Sequence, residues 1–181
     1  MPGSALLGQD ADVRLAIPDP SLVLLVGPSG AGKSTFAARH FRPTEIVSSD
    51  ELRARVADDA NDQAASAEAF RILALILNGR LRRRLTAVVD ATNVRPRNRR
   101  RLAALAARYG LPVVAILFNF PEQELVANNS ARPGRRVDES VVREQAALMH
   151  AGLGELSTGR YAAVYLLSTT ADVNAVQIER G

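Results

Sequence analysis

The sequence predicts an α/β fold, a three-layer sandwich with a mostly parallel central sheet and a helical lid. Three observations carry that prediction. Short, almost wholly apolar runs recur at Leu22–Val26, Thr86–Asp90 and Pro112–Phe118, as expected of strands covered on both faces. Segments with helical spacing separate them, which implies parallel βαβ units joined by right-handed crossovers. After the first run stands Gly27-Pro28-Ser29-Gly30-Ala31-Gly32-Lys33-Ser34, a G-x-x-x-x-G-K-S stretch in the strand-to-helix setting of a phosphate-binding P-loop. The architecture expected is therefore that of a P-loop NTPase.

Residues 1–12 are expected to form a flexible N-terminus, with 13–181 as one domain. Val13–Ile17 alternates and reads as a short edge strand ended by Pro18 and Pro20. Leu22–Val26 is the central strand, and the helix after the loop stops before Pro43. Glu45–Ser48 is the next strand, and Ser49 and Asp50 are both suited to cap the helix that follows. The acidic stretch Asp58–Gln63 reads as a surface loop. An amphipathic helix then places Phe70, Leu73, Ala74, Leu77 and Leu81 on one face and ends at Arg82-Arg83-Arg84.

Thr86–Asp90 is a buried strand ending in an acid. An Arg-rich helix from Pro96 to Tyr109 turns Leu102, Leu105, Ala106 and Tyr109 inward and is capped by Gly110. Pro112–Phe118 is the fourth strand. A helix opened by Pro121 runs to about Ser130, and another, capped by Asp138, runs to His150 before Gly152 and Gly154 break it. Between these helices lies Arg132-Pro133-Gly134-Arg135-Arg136, the centre of a lid expected over about residues 128–140. Val164–Leu167 is the last core strand, and Val176–Ile178 a further edge strand.

A chain of 181 residues is long enough to bury a proper core. Without cysteine it forms no disulfide and no thiolate–metal site. No apolar run approaches a membrane span, and Met1–Pro20 does not read as a secretory signal, so a cytoplasmic protein with no membrane partner is expected. The net charge of +4 leans towards polyanionic partners.

The loop's glycines permit a tight turn whose N–H groups converge on an anion. The next helix adds its N-terminal donors and dipole. Gly27, Ser29, Gly30, Ala31, Gly32, Lys33, Ser34 and Thr35 form the expected nucleotide cradle. Lys33, the only lysine in the chain, would reach the β- and γ-phosphates of ATP, and Ser34 would hold Mg²⁺.

P-loops serve several chemistries, and the other strand ends choose among them. With one lysine, the chain has no guanine-reading Asn-Lys-x-Asp, and no glutamate follows Asp90 to polarise a hydrolytic water. Asp50, after a strand end, is placed to accept the proton of an attacking hydroxyl, or simply to cap a helix. Arg53, one turn on, shares its face and can grip an acceptor phosphate or lie in solvent. Asp90 occupies the position of a Mg²⁺ ligand, and Thr92 and Asn93 can orient the metal's water or the acceptor. Arg132, Arg135 and Arg136 suit a lid that neutralises the transferring phosphoryl group. Arg82–Arg84, Arg97 and Arg99–Arg101 are either a phosphate-tracking surface or the polar faces of two helices.

Several of these stretches occur together and in order: residues 22–36, Ser48-Ser49-Asp50-x-x-Arg53, Asp58-Asp59-x-Asn61-Asp62-Gln63, Val88-Val89-Asp90-Ala91-Thr92-Asn93 and Arg132-x-x-Arg135-x-Val137. The set resembles the kinase module of the bacterial polynucleotide kinase-phosphatases and, more distantly, the phage polynucleotide 5′-kinase, from about Val13 to Leu167. The resemblance implies ATP-dependent phosphorylation of a polynucleotide 5′-hydroxyl, so the expected partner is a nucleic acid end and no obligate protein partner is inferred. It makes Lys33 and Ser34 the phosphate and Mg²⁺ ligands, Asp50 the general base and Arg53 the clamp on the acceptor's phosphate. Arg132 and Arg135 become the lid arginines, and Asp90 acts near acceptor and metal. Two departures are visible: Asp138 stands where the family often has proline, and Asn128 and Asn129 where it often has arginine. A kinase of a small-molecule hydroxyl (metabolite, nucleoside or antibiotic) is the alternative, and a non-catalytic ATP-binding module a more remote one.

Overall fold

The computed structural model describes residues 13–131 and 137–181. The expected flexible N-terminus and the lid centre with Arg132, Arg135 and Arg136 lie outside the described residues.

Among the described residues, seven strands and seven α-helices follow one another: β1 (Val13–Ile17), β2 (Leu22–Val26), α1 (Lys33–His40), β3 (Ile46–Ser48), α2 (Ser49–Ala57), α3 (Ser66–Arg82), β4 (Ala87–Asp90), α4 (Pro96–Ala107), β5 (Val113–Phe118), α5 (Glu122–Ala131), α6 (Glu139–Ala151), β6 (Ala163–Leu167), α7 (Thr170–Ala175) and β7 (Val176–Arg180), with a 3₁₀ turn at Leu153–Ser157. Five strands form a wholly parallel sheet in the order β3-β4-β2-β5-β6.

The strands' apolar runs divide between two cores, one on each face of the sheet. Leu22, Leu24, Val26, Val89, Ala115 and Leu117 meet Leu73, Leu77 and Leu81 of α3 and Ala103 and Ala106 of α4. Val23, Leu25, Val88, Val114, Ile116 and Phe118 meet Phe36 and Ala37 of α1, Leu125 of α5 and Val142 and Ala146 of α6. Two covered faces explain why β2 and β5 are apolar at every position.

Several sequence expectations are corrected. β1 is a strand, but it lies outside the main sheet: it pairs in parallel with β7 as a separate ribbon, Leu15 opposite Ile178. Its inward residues Val13, Leu15 and Ile17 pack onto the second core. The cap of α2 is neither Ser49 nor Asp50 but Ser48, whose hydroxyl accepts from the Glu51 N–H. On α3 the buried stripe is Ala69, Leu73, Leu77 and Leu81, so Phe70 and Ala74 fall outside it. Phe70, one residue from the stripe, is 41% exposed. α4 ends at Ala107, short of the expected Tyr109; Leu102 and Leu105 on it, and Tyr109 in the turn beyond, pack against the core only in part, whereas Arg99 is fully buried.

Candidate active site

The carboxyl ends of β3, β4 and β2 lie side by side, Ser48 opposite Asp90 and Asp90 opposite Leu25. Crossovers place the helix starts above these ends, so ligand-binding groups converge there. The result is a cleft of about 910 Å³ that includes Ser29, Gly30, Gly32, Lys33, Ser34, Thr35, Asp50, Arg53 and Asp90 among its walls. Residues separated by more than sixty positions in the chain are thus brought to one cavity.

The loop is held open by glycine. Gly30 has φ of +83°, and a Cβ there would stand 2.3 Å from the Leu125 carbonyl oxygen. Gly32, also left-handed at +78°, is the N-cap of α1 and offers no side chain to cap it. With no acid in the first turn either, no carboxylate of α1 itself offsets the positive end of this helix where it meets the cleft. Lys33 is buried and its ammonium donates to the Pro28 carbonyl at 2.7 Å, folding the side chain back over the loop.

The loop is locked to the strand beside it. Gly27 N–H donates to the Thr92 carbonyl at 2.9 Å. Asn93, with φ of 49°, turns its amide nitrogen onto the carbonyls of Leu25 at 2.8 Å, Ala91 at 3.3 Å and Val89 at 3.4 Å. Asparagine tolerates this left-handed backbone better than most residues. Asn93 does not line the cleft; its amide is spent on bracing β2 to the end of β4. Thr92 and Asp90 do line it.

Arg99 secures this junction from below. Its guanidinium donates to the carbonyls of Asn93 and Val94, each at 2.9 Å, and of Gly152 at 2.6 Å, and it pairs with Glu155 at 2.9 Å. Tyr161 donates its hydroxyl to the same carboxylate. Burial first, and the Glu155 charge next, push that phenol up to about 12, so it remains a donor at neutral pH. Arg99 is therefore neither a phosphate-tracking residue nor part of a polar helix face.

Asp50 and Arg53 sit one turn apart on α2 and form an ion pair. Arg53 is 5% exposed, and its Nε donates to the Ala60 carbonyl at 2.8 Å in the acidic loop after α2. Burial pulls its pKa below the ordinary arginine value. Asp50 is not the N-cap of α2 and lines the cleft from the second residue of the helix.

Sequence reasoning missed Gln145. This α6 residue lines the cleft, and its Oε1 accepts from the Ser29 N–H at 2.8 Å. No motif marks it; only the packing of α6 on the second core, through Val142 and Ala146, brings it to the loop.

A family model described as an AAA domain matches residues 22–156. The chain belongs to this AAA domain family. Within the match lie the phosphate loop, Asp50, Arg53, Asp90 and Gln145. No curated protein matches the sequence. Among solved structures, a chain of the Pnkp1/Rnl/Hen1 RNA repair complex is 22% identical with a TM-score of 0.66, covering 77% of this chain and 47% of that one. The AAA domain thus spans about half the length of that protein. A putative kinase from Chloroflexus aurantiacus is 17% identical with a TM-score of 0.61, covering 87% and 94% of the two chains. Shikimate kinase from Acinetobacter baumannii, in complex with shikimate, is 16% identical with a TM-score of 0.53, covering 86% and 88%. These likenesses establish a P-loop kinase-like fold. No helix among the described residues is long and apolar enough to cross a membrane.

Proposed function

We propose that this AAA domain is a kinase that transfers the γ-phosphate of ATP to the 5′-hydroxyl of a polynucleotide. The observation that supports it most is the Asp50–Arg53 pair on the cleft that also contains the phosphate loop. Asp50 accepts the proton of the hydroxyl as its oxygen bonds to the γ-phosphorus and the bond to ADP breaks. Arg53 orients Asp50 and turns its remaining nitrogen towards the acceptor's first phosphate. Lys33 and the loop N–H groups hold the β- and γ-phosphates.

The residues present fit Mg²⁺. Ser34 and Asp90 share the cleft, and among the described residues no cluster of three or more His, Cys, Asp or Glu side chains forms a metal cage of its own. Mg²⁺ in such kinases is held by one or two side chains together with phosphate oxygens, and when bound it neutralises charge on the β- and γ-oxygens. Arg132 and Arg135 are assigned to the lid by the sequence resemblance. An acceptor of nucleic acid agrees with the presence of an RNA repair chain among proteins of this fold.

One observation favours the small-molecule alternative. Two of the three Arg53 nitrogens are already engaged, on Ala60 and Asp50, which leaves less of the guanidinium for an acceptor phosphate. Radiolabelled ATP and Mg²⁺ offered with a 5′-hydroxyl oligonucleotide, a 3′-nucleotide and a nucleoside separate the two. Label on the first two alone is expected. Label on the nucleoside or on a metabolite, with none on the oligonucleotide, overturns the polynucleotide assignment. Asp50→Asn should lower transfer by about 10²–10⁴-fold while ATP still binds; turnover equal to the parent protein's removes Asp50 as the base.

A further inference from the structure

We propose that Gln145 reads the terminal phosphate of the bound nucleotide and makes the loop prefer a triphosphate to a diphosphate. The inference rests on the reading of Gly27–Ser34 as a nucleotide cradle. It assigns to α6 a specificity group that is absent from the loop motif.

The argument begins with the polarity of one hydrogen bond. A backbone N–H is only a donor, so the Gln145 atom 2.8 Å from the Ser29 nitrogen must be the oxygen. That fixes the orientation of the whole planar amide. Its nitrogen, attached to the same carbon, carries two N–H donors beside the loop. No described group accepts from them, and the side chain is half-buried on the cleft wall. Donors beside an anion site, with no described acceptor of their own, are suited to a phosphate oxygen.

The position along the loop points to the terminal phosphate. Ser29 follows Pro28, and the Pro28 carbonyl is where the Lys33 ammonium rests. A P-loop lysine reaches the β- and γ-phosphates, so the Pro28–Ser29 corner marks the outer end of the cradle. The start of α1, where Gly32 is left uncapped, marks the inner end. A diphosphate seated against α1 would fill the inner end and leave the Gln145 amide without a partner. A triphosphate would extend to it.

The electrostatics agree. Glu144, the neighbouring acid on the cleft, is paired with Arg95 at 3.3 Å, so its charge is countered. Gln145 itself is neutral and contributes donors without an anion.

The competing account is mechanical: Gln145 would be a strut fastening α6 to the loop. Gln145→Glu distinguishes the two, because a carboxylate still accepts from Ser29 N–H but brings a negative charge where two donors stood. The affinities of the full chain for ADP and for a non-hydrolysable ATP analogue, both with Mg²⁺, are measured by calorimetry, and thermal unfolding checks that the variant is folded. The parent protein should favour the triphosphate. In Gln145→Glu, triphosphate affinity should fall by about tenfold or more, the range of a lost hydrogen bond to a charged group, while ADP affinity stays within about twofold. An unchanged ratio of the two affinities overturns the inference, whether both affinities drop together or neither does. Gln145→Met, which loses the strut as well, should reduce the same ratio; a parallel loss for both nucleotides would likewise establish a strut alone. A parent protein that binds neither nucleotide overturns the cradle reading and this inference with it. One that binds both yet phosphorylates no polynucleotide overturns only the acceptor assignment, and the ratio still decides the role of Gln145.

Discussion

Replacing Arg99 with methionine is expected to cost the fold about 3–5 kcal/mol, the range for breaking a buried ion pair from one side. The side chain is completely buried and makes four hydrogen bonds between 2.6 and 2.9 Å, three to carbonyls and one to Glu155. Methionine fills much of the volume but leaves Glu155, whose side chain is 8% exposed, as an uncompensated charge. Against a total stability of about 5–15 kcal/mol this is a large fraction. With a urea slope of about 2 kcal/mol/M, the unfolding midpoint should fall by about 2 M. Adding Glu155→Gln removes the stranded charge while keeping an acceptor for Tyr161, so the double variant should regain at least about 1 kcal/mol relative to additivity. ATP affinity should decline in Arg99→Met, because the carbonyls Arg99 holds belong to Asn93 and Val94, beside the loop. A loss under about 1 kcal/mol, or strict additivity of the two substitutions, would show that this network does not hold the junction.

Two further perturbations follow from the same geometry. Arg180 on β7 grips Glu45 with two hydrogen bonds at 2.7 and 2.8 Å and holds that carboxyl below its ordinary 4.5. A carboxyl lowered in the fold contributes stability above its unfolded pKa, and this is lost as pH falls through the folded value. Arg180→Ala should therefore cost about 1.5–3 kcal/mol at pH 7 and flatten the acid limb of the stability–pH curve; an identical limb in the variant would rule the pair out. Gly30→Ala must displace the Leu125 carbonyl and adopt a left-handed backbone, so about 1–3 kcal/mol of strain and a clear loss of ATP affinity are expected, read by calorimetry. Unaltered affinity would mean that the loop binds in some other shape.

The central sheet was legible because β2 and β5 are apolar throughout, β4 is apolar up to its closing Asp90, and the glycine-lysine loop fixes the direction of the first crossover. The pairing of β1 was not. Alternation in Val13–Ile17 reports one buried face, but the choice of β7 as partner depends on contacts across 163 positions that no local pattern contains. Asp50 and Arg53 were readable as neighbours because a helical turn brings them together. The engagement of Arg53 by Ala60 depends on the course of a loop and could not be read. Arg99 was misread for a clear reason: in a chain with clustered arginines, composition says nothing about which guanidinium faces a buried cluster of carbonyls. Phe70 was misjudged by a single position of helix phase, which moves an aromatic ring from the core to the rim of the cleft. Gln145 had no local signature at all.

The β1–β7 ribbon joins the first and last described strands, which has a consequence for the order of assembly. A chain emerging from the ribosome can build its central sheet as each crossover is completed, yet Leu15 and Ile17 lack their strand partner until Val176–Arg180 is free. Because β7 also delivers Arg180 to Glu45, backbone pairing and charge neutralisation arrive together. Synthesis of β7 is thus coupled to closure of the second core, and a chain that has not yet reached Val176–Arg180 presents an apolar strand edge along β1.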